Sequence, residues 1–388
     1  MEKTREFMNV VDKSLQKFAS YNLSMERLHL NMPLIDGNYA SMVDQWLALA
    51  LDSGVREMSL LVRKDFRTVY DGTYALPEPA FLAKSISVCS ELGRLQKLSL
   101  LQIPISENII RHIVHHCPNL STLYLEQFSG LKTLEISKLN KLERVTISST
   151  GFLRVLERVN IDAPNLKYFS FDVQRCLQCS VNLTSCHDLK ELRLSSCNIT
   201  DDVLHSHLSR FPLLQVLEIA NCRMLRKVEI SAQQLRRLRL VFGLTKTERI
   251  RVDAPILSSF EYTAFDMPVL FPENVPCPMK ITYVAEHRVA DSSWFYQLRE
   301  FLGRSSRSRN FLTLRFYRCK VYFDPEEVGK KEMPPLVKID HLKLISSDIK
   351  ISIDCAALID GLLWSCHPKI LSIPLDSMFG KQCVKVWL

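Results

Sequence analysis

The sequence predicts an α/β solenoid: a curved parallel sheet, backed unevenly by helices and loops, with a helical cap at its N-terminal end. Three observations lead there. The hexad L-x-x-L-x-L, or a near copy, recurs along most of the 388 residues. Alternation over the last positions of each copy is that of a short strand with one buried face. The copies at Leu189 and Leu214 start 25 residues apart, inside the period of a leucine-rich repeat. Between them lies a helix signal. Thr200 can cap, Asp201 and Asp202 suit the positive end of the helix dipole, and Leu204, Leu208 and Phe211 share a face before Pro212 stops it. Cys197 and Cys222 each follow the closing L-x-L by three positions, the slot that holds a buried Asn or Cys under the turn in such repeats.

The elements follow in order. Residues 4 to 20 read as an amphipathic helix, with Phe7, Val10, Val11, Leu15 and Phe18 at helical spacing. Such a helix covers the first open end of a solenoid. Met25-x-x-Leu28-x-Leu30 is the first strand, a helix spans 40 to 52, and Val55-x-x-Met58-x-Leu60 is the second strand. DFRTVYDGTYALPEP, from Asp65, reads as a surface loop. From Leu95 the copies start at Leu95, Leu120, Leu131, Leu142, Leu156, Leu166, Leu189, Leu214, Leu225, Leu235, Thr247 and Leu257. Long spacings leave room for a helix, as in SENIIRHIVHHCP; spacings of 10 to 14 residues leave room only for a tight loop behind the strand. The expectation is one sheet that takes every copy as a strand. DMPVLFPENVPCPM, with four prolines, reads as a break, followed by a strand over Met279 to Val284, a helix over 291 to 304 and the motif again in FLTLRFYRC. Ile339-x-x-Leu342-x-Leu344, a helix over 354 to 366 and Ile370-x-x-Ile373-x-Leu375 finish the chain. The organisation is thus a capping helix over 1–20, a solenoid over 21–284, and degenerate repeats or a capping subdomain over 285–388.

The phrases HHCPNLSTLYLEQF, APNLKYFSF, LKELRLSSC and LLWSCHPKILSI resemble the plant F-box/LRR-repeat proteins over roughly residues 20 to 375. The resemblance implies a repeat domain that presents a substrate to an SCF-type ubiquitin ligase, with an F-box ahead of the repeats docking on a Skp1-type adaptor. The opening FMNVVDKSLQKF looks like the helix just after an F-box, and no Leu-Pro-led F-box pattern occurs in the first 60 residues. Adaptor docking is therefore expected only if an F-box lies upstream.

Composition narrows the function classes. An apolar content of 47% is too high for general disorder. No run of about 18 uncharged apolar residues suggests a membrane span, and the first residues lack the apolar core of a signal peptide. The expected location is the cytoplasm, the nucleus or both, with the 12 cysteines reduced. The net charge of +8 permits an acidic partner without requiring one. No phosphate loop, G-x-G-x-x-G or G-x-S-x-G occurs, so neither an enzyme nor a cofactor is expected. Cys176, Cys179, Cys186 and His187 carry a spacing that zinc sites use. Cys186 precedes a repeat start and Cys197 fills the turn slot, so these thiols read as structural and no metal is expected. His112, His115 and His116 crowd the C-terminal end of one helix without the Glu of a zinc protease. The run RSSRSR from Arg304 lacks interleaved aromatics and reads as a solvated loop, so no nucleic-acid interface is expected.

Function then rests on surface. In each hexad the leucines point inward, and the residues flanking the last two point out onto the concave face. The copies at Leu225, Leu235 and Thr247 expose Lys227 and Glu229, Arg237 and Arg239, and Arg249, Arg251 and Asp253. On adjacent strands about 4.8 Å apart, the four arginines would form one compact positive patch. It would dock an acidic peptide or phosphate, or its arginines would pair with Glu218, Glu229, Asp253 and Glu261. Tyr124, Glu126, Arg144, Arg158, Tyr168 and Asp172 project from the earlier strands, a polar and aromatic mixture suited to protein recognition. The reading is a protein-interaction module with its partner on the concave face. The alternative is a receptor for a small anion, such as an inositol phosphate, on the arginine patch.

Overall fold

The computed structural model describes residues 2–21, 23–33, 37–63, 93–149, 156–174, 179–243, 247–264, 269–274, 279–286, 289–304, 311–317, 320–328, 335–346 and 354–373. The chain divides into two compact units, Met1–Asn198 and Ile199–Leu388. The loop from Asp65 and most of RSSRSR lie outside the described residues. Among the described residues no helix is long and apolar enough to cross a membrane.

The first unit opens with α1 (Glu2–Ser20), β1 (Arg27–Pro33), α2 (Gly37–Asp52), β2 (Glu57–Arg63), β3 (Lys97–Leu101) and α3 (Glu107–His116). It continues with β4 (Thr122–Glu126), β5 (Thr133–Ser137), β6 (Arg144–Ser149), β7 (Arg158–Asp162), β8 (Tyr168–Val173), β9 (Ser180–Asn182) and β10 (Glu191–Ser195). Its principal sheet runs β1-β2-β3-β4-β6-β8-β10, with every pairing parallel. A second parallel sheet holds β5-β7-β9.

The two sheets correct the expectation of one sheet that takes every copy. The copies at Leu120, Leu142, Leu166 and Leu189 feed the principal sheet, and those at Leu131 and Leu156 feed the second. The cause is geometric. A strand returning parallel beside its predecessor needs a crossover of about a dozen residues or more. A spacing of 10 or 11 residues, most of it strand, completes only half a circuit. What stands behind each principal strand is therefore a second strand, where a bare loop was expected. Leu123 and Leu125 on one wall and Leu134 and Ile136 on the other are all at most 2% exposed. One core lies between two β walls. The third strand of the second wall, β9, buries Cys179, Val181 and Leu183, a rung without the full hexad.

Full circuits are marked by a recurring backbone device. The carbonyl just before a principal strand accepts two consecutive N–H groups from the next coil. Gln96 O takes Ser121 N and Thr122 N at 2.7 and 3.0 Å, and Ser121 O takes Glu143 N and Arg144 N at 2.9 and 3.0 Å. Glu143 O and Lys167 O repeat the pattern. Left-handed residues end several strands: Gln102, Gln127, Lys138, Ser196 and Asn221 have φ between 50 and 64° and each directly follows a strand. Ser106 caps α3, accepting from Ile109 N at 3.3 Å, and Ile109, Ile110 and Ile113 form its buried face. On α1, Met8 is buried, whereas Phe7 and Val10 are exposed. The apolar stripe is wider than the contact with α2, and the Trp46 indole N–H donated to Asp12 turns the helix to the Met8 side.

The second unit contains α4 (Asp201–Leu208), β11 (Val216–Ala220), β12 (Lys227–Ser231), β13 (Arg237–Val241), β14 (Arg249–Asp253), β15 (Ser259–Ala264) and β16 (Val269–Asn274). It continues with β17 (Met279–Glu286), β18 (Val289–Ala290), α5 (Ser292–Arg304), β19 (Phe311–Tyr317), β20 (Lys320–Val321), α6 (Pro325–Val328), β21 (Val337–Ser346), α7 (Cys355–Ser365) and β22 (Cys366–Ser372). The two-wall plan recurs, with β11-β13-β15-β17-β19-β21-β22 as the principal sheet, β12-β14-β16 as the second and a small pair β18-β20. All are parallel. Thr200 caps α4 through Val203 N, and Asp201 accepts the N–H groups of Arg226 and Lys227 at 3.0 Å each, tying the helix to β12. The proline-rich stretch read as a break contains β16. Pro272 sits there because β16 is last in its sheet, where a missing N–H is tolerated. The last strand starts earlier than its Ile370 motif suggests. Ser365 closes α7 by donating to Gly361 O, and Cys366 pairs directly with Val337. Ile370 is consequently 58% exposed, and Leu375 lies outside the described residues.

The turn-slot cysteines Cys197 and Cys222 are buried, and the Cys222 thiol lies 3.4 Å from Ala220 O. Burial pushes the thiols of Cys117 and Cys366 up to about 12 and that of Cys186 up to about 11. Alkylating the native protein at pH 8, followed by peptide mapping, is expected to leave these three unmodified, because the reactive thiolate is absent. In urea all three should react.

Candidate protein-binding face

The outward residues of each principal sheet form rows set by strand register. In the first unit one row runs Arg27, Glu57, Lys97, Thr122, Arg144, Tyr168, Glu191. Glu57 is bridged on both sides, by Lys97 Nζ at 2.6 Å and Arg27 Nε at 3.5 Å. The Lys97 hydrogen bond holds its carboxyl below the ordinary range. Further along, the Arg144 guanidinium lies 4.0 Å over the Tyr168 ring, a cation–π contact that presents a flat, half-buried aromatic with its charge fixed in place. A neighbouring row carries Tyr124, Thr146, Ser170 and Arg193. The Tyr124 hydroxyl donates to Glu126, and partial burial together with that carboxylate raises its pKa.

In the second unit the row is Glu218, Arg239, Glu261, Lys280. Arg239 bonds Glu218 and sits 3.6 Å from Glu261, which Lys280 Nζ reaches at 3.0 Å. Signs alternate across four strands, so the row neutralises itself. Arg237 stands in register between Val216 and Ser259, with no carboxylate opposite on either neighbouring strand. Substituting Arg239 with Gln is expected to change stability by less than about 1 kcal/mol, because exposed pairs contribute little. Urea unfolding checks this.

The structure thus divides the residues selected from the sequence. Tyr124, Glu126, Arg144, Tyr168 and Asp172 share the principal sheet of the first unit, and Arg237 and Arg239 lie on that of the second. Arg158 on β7, Lys227 on β12, and Arg249 and Arg251 on β14 belong to the second sheets. The four arginines do not make one patch: β13 and β14 are consecutive in sequence but on different walls. Arg249 lies against Glu229 at 2.9 Å. Sequence reasoning missed the Glu57–Lys97 bridge and the role of Lys280. The signal was present as the full-coil spacing, which places Glu218, Arg239, Glu261 and Lys280 at the same point of successive coils.

This is the layout of a recognition surface: parallel rungs inside, polar and aromatic rows outside. Comparison with known proteins agrees. A model of the leucine-rich-repeat domain of the At1g61320/AtMIF1 type matches residues 14–182 and 173–293. The chain belongs to this leucine-rich-repeat family. Two Arabidopsis thaliana relatives are a putative F-box/LRR-repeat protein, At3g18150, and an F-box/LRR-repeat protein, At3g03360. Each is 25% identical, over 201 and 223 residues, or 48% and 51% of this chain. The matches cover 41% and 42% of those relatives, so the chain spans less than half of their length. Among solved structures, an internalin (inlF) from Listeria monocytogenes aligns with a TM-score of 0.35 and 12% identity, covering 87% of this chain and 95% of that one. Leucine-rich-repeat domains of this kind are protein-interaction modules, and the rows described above are what this one offers to a partner.

Proposed function

We propose that this leucine-rich-repeat domain selects a protein substrate for an SCF-type ubiquitin ligase without catalysing a reaction itself. The target would lie on the outer face of the principal sheet of the first unit. The observation that carries the reading is the fixed aromatic and cationic set there, Tyr124, Arg144 and Tyr168, with Glu126 beside it. Tyrosine and arginine on a rigid scaffold are the residue types that dominate protein-interface energetics. The F-box/LRR names of the two relatives support the ligase context, and a Skp1-type adaptor would join through an F-box ahead of the repeats. The small-anion alternative needs four arginines in one place, and the division of β13 from β14 between walls removes that arrangement.

The test pairs adaptor and target. The full-length protein is expected to co-purify with a Skp1-type adaptor and to stabilise a defined substrate when ligase activity is blocked. The double variant Tyr124→Ala, Arg144→Ala should keep the adaptor and lose the substrate. Substrate capture unchanged by that variant would overturn the placement, and loss of the adaptor from intact full-length protein would overturn the ligase assignment.

A further inference from the structure

Away from the principal sheet, the first unit carries a groove of about 640 Å³ along the outer side of α3, closed by the end of β5. That size is within the usual range of specific sites. Its rim is formed by Arg111, His112, His115, His116 and Lys138, with Val114 and Pro118 as apolar surface. Among the described residues, no carboxylate lines it. The imidazoles are organised against one another: His112 and His116 stack with centroids 3.9 Å apart, and His115 meets His116 edge-on at 4.8 Å. His116 Nδ1 lies 3.0 Å from His112 O. If Nδ1 carries the proton it donates there, leaving Nε2 to take up a further proton. His112 Nε2 is buried without a hydrogen-bond partner, and burial together with the two neighbouring imidazoles holds His112 below the ordinary histidine range. Mutually repelling cationic groups held this close, with an unsatisfied nitrogen among them, are incomplete without a negative partner.

The charged groups facing the helix from its neighbour do not supply one. Glu107, at the other end of α3, accepts from Thr133 N and Thr133 Oγ1 at 3.0 and 2.9 Å. Glu135 projects outward from β5 and does not line the groove. Lys132 and Lys138 flank the strand with further positive charge. Spacing narrows the partner. Arg111 and His115 are one i, i+4 step apart, about 6 Å along the helix. His112 and His116 make a second such step. Alternate side chains of an extended peptide repeat about every 6.4–6.8 Å, nearly the same step. A single phosphate would engage one end of this array, whereas carboxylates at alternate positions match its length.

We propose that this groove is a second docking surface, independent of the principal-sheet face, for an acidic protein segment in extended conformation with Asp or Glu at alternate positions. Because imidazoles gain charge between about pH 8 and 5, the groove binds such a segment more tightly in mildly acidic conditions. The probe is a fluorescein-labelled peptide with three aspartates at alternate positions, followed by anisotropy with the full chain at pH 7.5 and 5.8. Binding at pH 7.5 is expected to tighten about three- to tenfold at pH 5.8, the effect of one or two added exposed charge pairs. Arg111→Glu, His115→Glu should abolish binding with an unchanged thermal melt, while Tyr124→Ala, Arg144→Ala should bind as the parent does. Lys138→Glu serves as a second variant should the double one fail to fold, and should weaken binding. Equal affinity at both pH values, binding insensitive to Lys138→Glu, or a preference for a singly phosphorylated peptide without aspartates would each overturn the proposal.

Discussion

Replacing Phe171 with alanine is expected to destabilise the first unit by about 3–5 kcal/mol, the largest loss from any single substitution considered for this protein. Phe171 is fully buried on β8, with β6 and β10 in register on either side. The strand is pinned by its backbone ladder to both neighbours, so the walls cannot close over the space left behind. A side chain with freedom to collapse would lose less. The neighbouring outward residue gives the contrast. Ser170→Ala removes an outward-facing hydroxyl on the same strand and should change stability by less than about 0.5 kcal/mol. Guanidinium denaturation of both variants measures the difference directly. A loss below about 1 kcal/mol for Phe171→Ala would mean that this position does not face a shared core.

Gly130→Ala should cost about 3 kcal/mol, through backbone geometry alone. Gly130 has a φ of +91°, and a Cβ there would stand 2.8 Å from the carbonyl oxygen of Ile105. The left-handed side of the map costs an L-residue about 1–2 kcal/mol. Overpacking against an atom that cannot swing away adds about 1–3 kcal/mol. The contact is rigid because Ile105 N donates to Ser129 O at 2.8 Å and Pro104 bridges Ser129, clamping this turn between two coils. Gly243→Ala is the control. Its Cβ would meet only the amide oxygen of the Asn221 side chain, at 3.0 Å, which can shift. Thermal melts should separate the two.

The rungs were legible in the sequence because alternation and hexad spacing report inward-facing residues whichever wall they occupy. Leu123, Leu134, Leu192 and Val228 all obey the same local rule and are all buried. For that reason the wall itself was not legible. Leu225-x-x-Val228-x-Ile230 and Leu235-x-x-Leu238-x-Leu240 have the same local pattern, and only closure of a full circuit assigns one to the second sheet and the other to the principal sheet. The arginine patch failed on this point, since its outward residues were chosen correctly strand by strand and then placed on the same wall. The caps of α3 and α4 were readable at Ser106 and Thr200 because side-chain to backbone bonds are local. The face of α1 was not, because Met8, Phe7 and Val10 compete for one contact and the Asp12–Trp46 bond, which is tertiary, decides between them. The start of β22 depended likewise on Ser365 reaching Phe295 O, 70 residues away.

Engineered disulfides test the two-wall coil most directly. Cysteines placed at Arg239 and Glu261 lie in register on adjacent parallel strands, about 4.8 Å apart and within the reach of a disulfide. Cysteines at Arg239 and Arg251 point away from opposite walls of the coil. Mild oxidation followed by peptide mapping should show the 239–261 bond and no 239–251 bond within one chain. A 239–251 bond formed in the folded protein would contradict the account, for it would place β13 beside β14 and return the arginines to a single face.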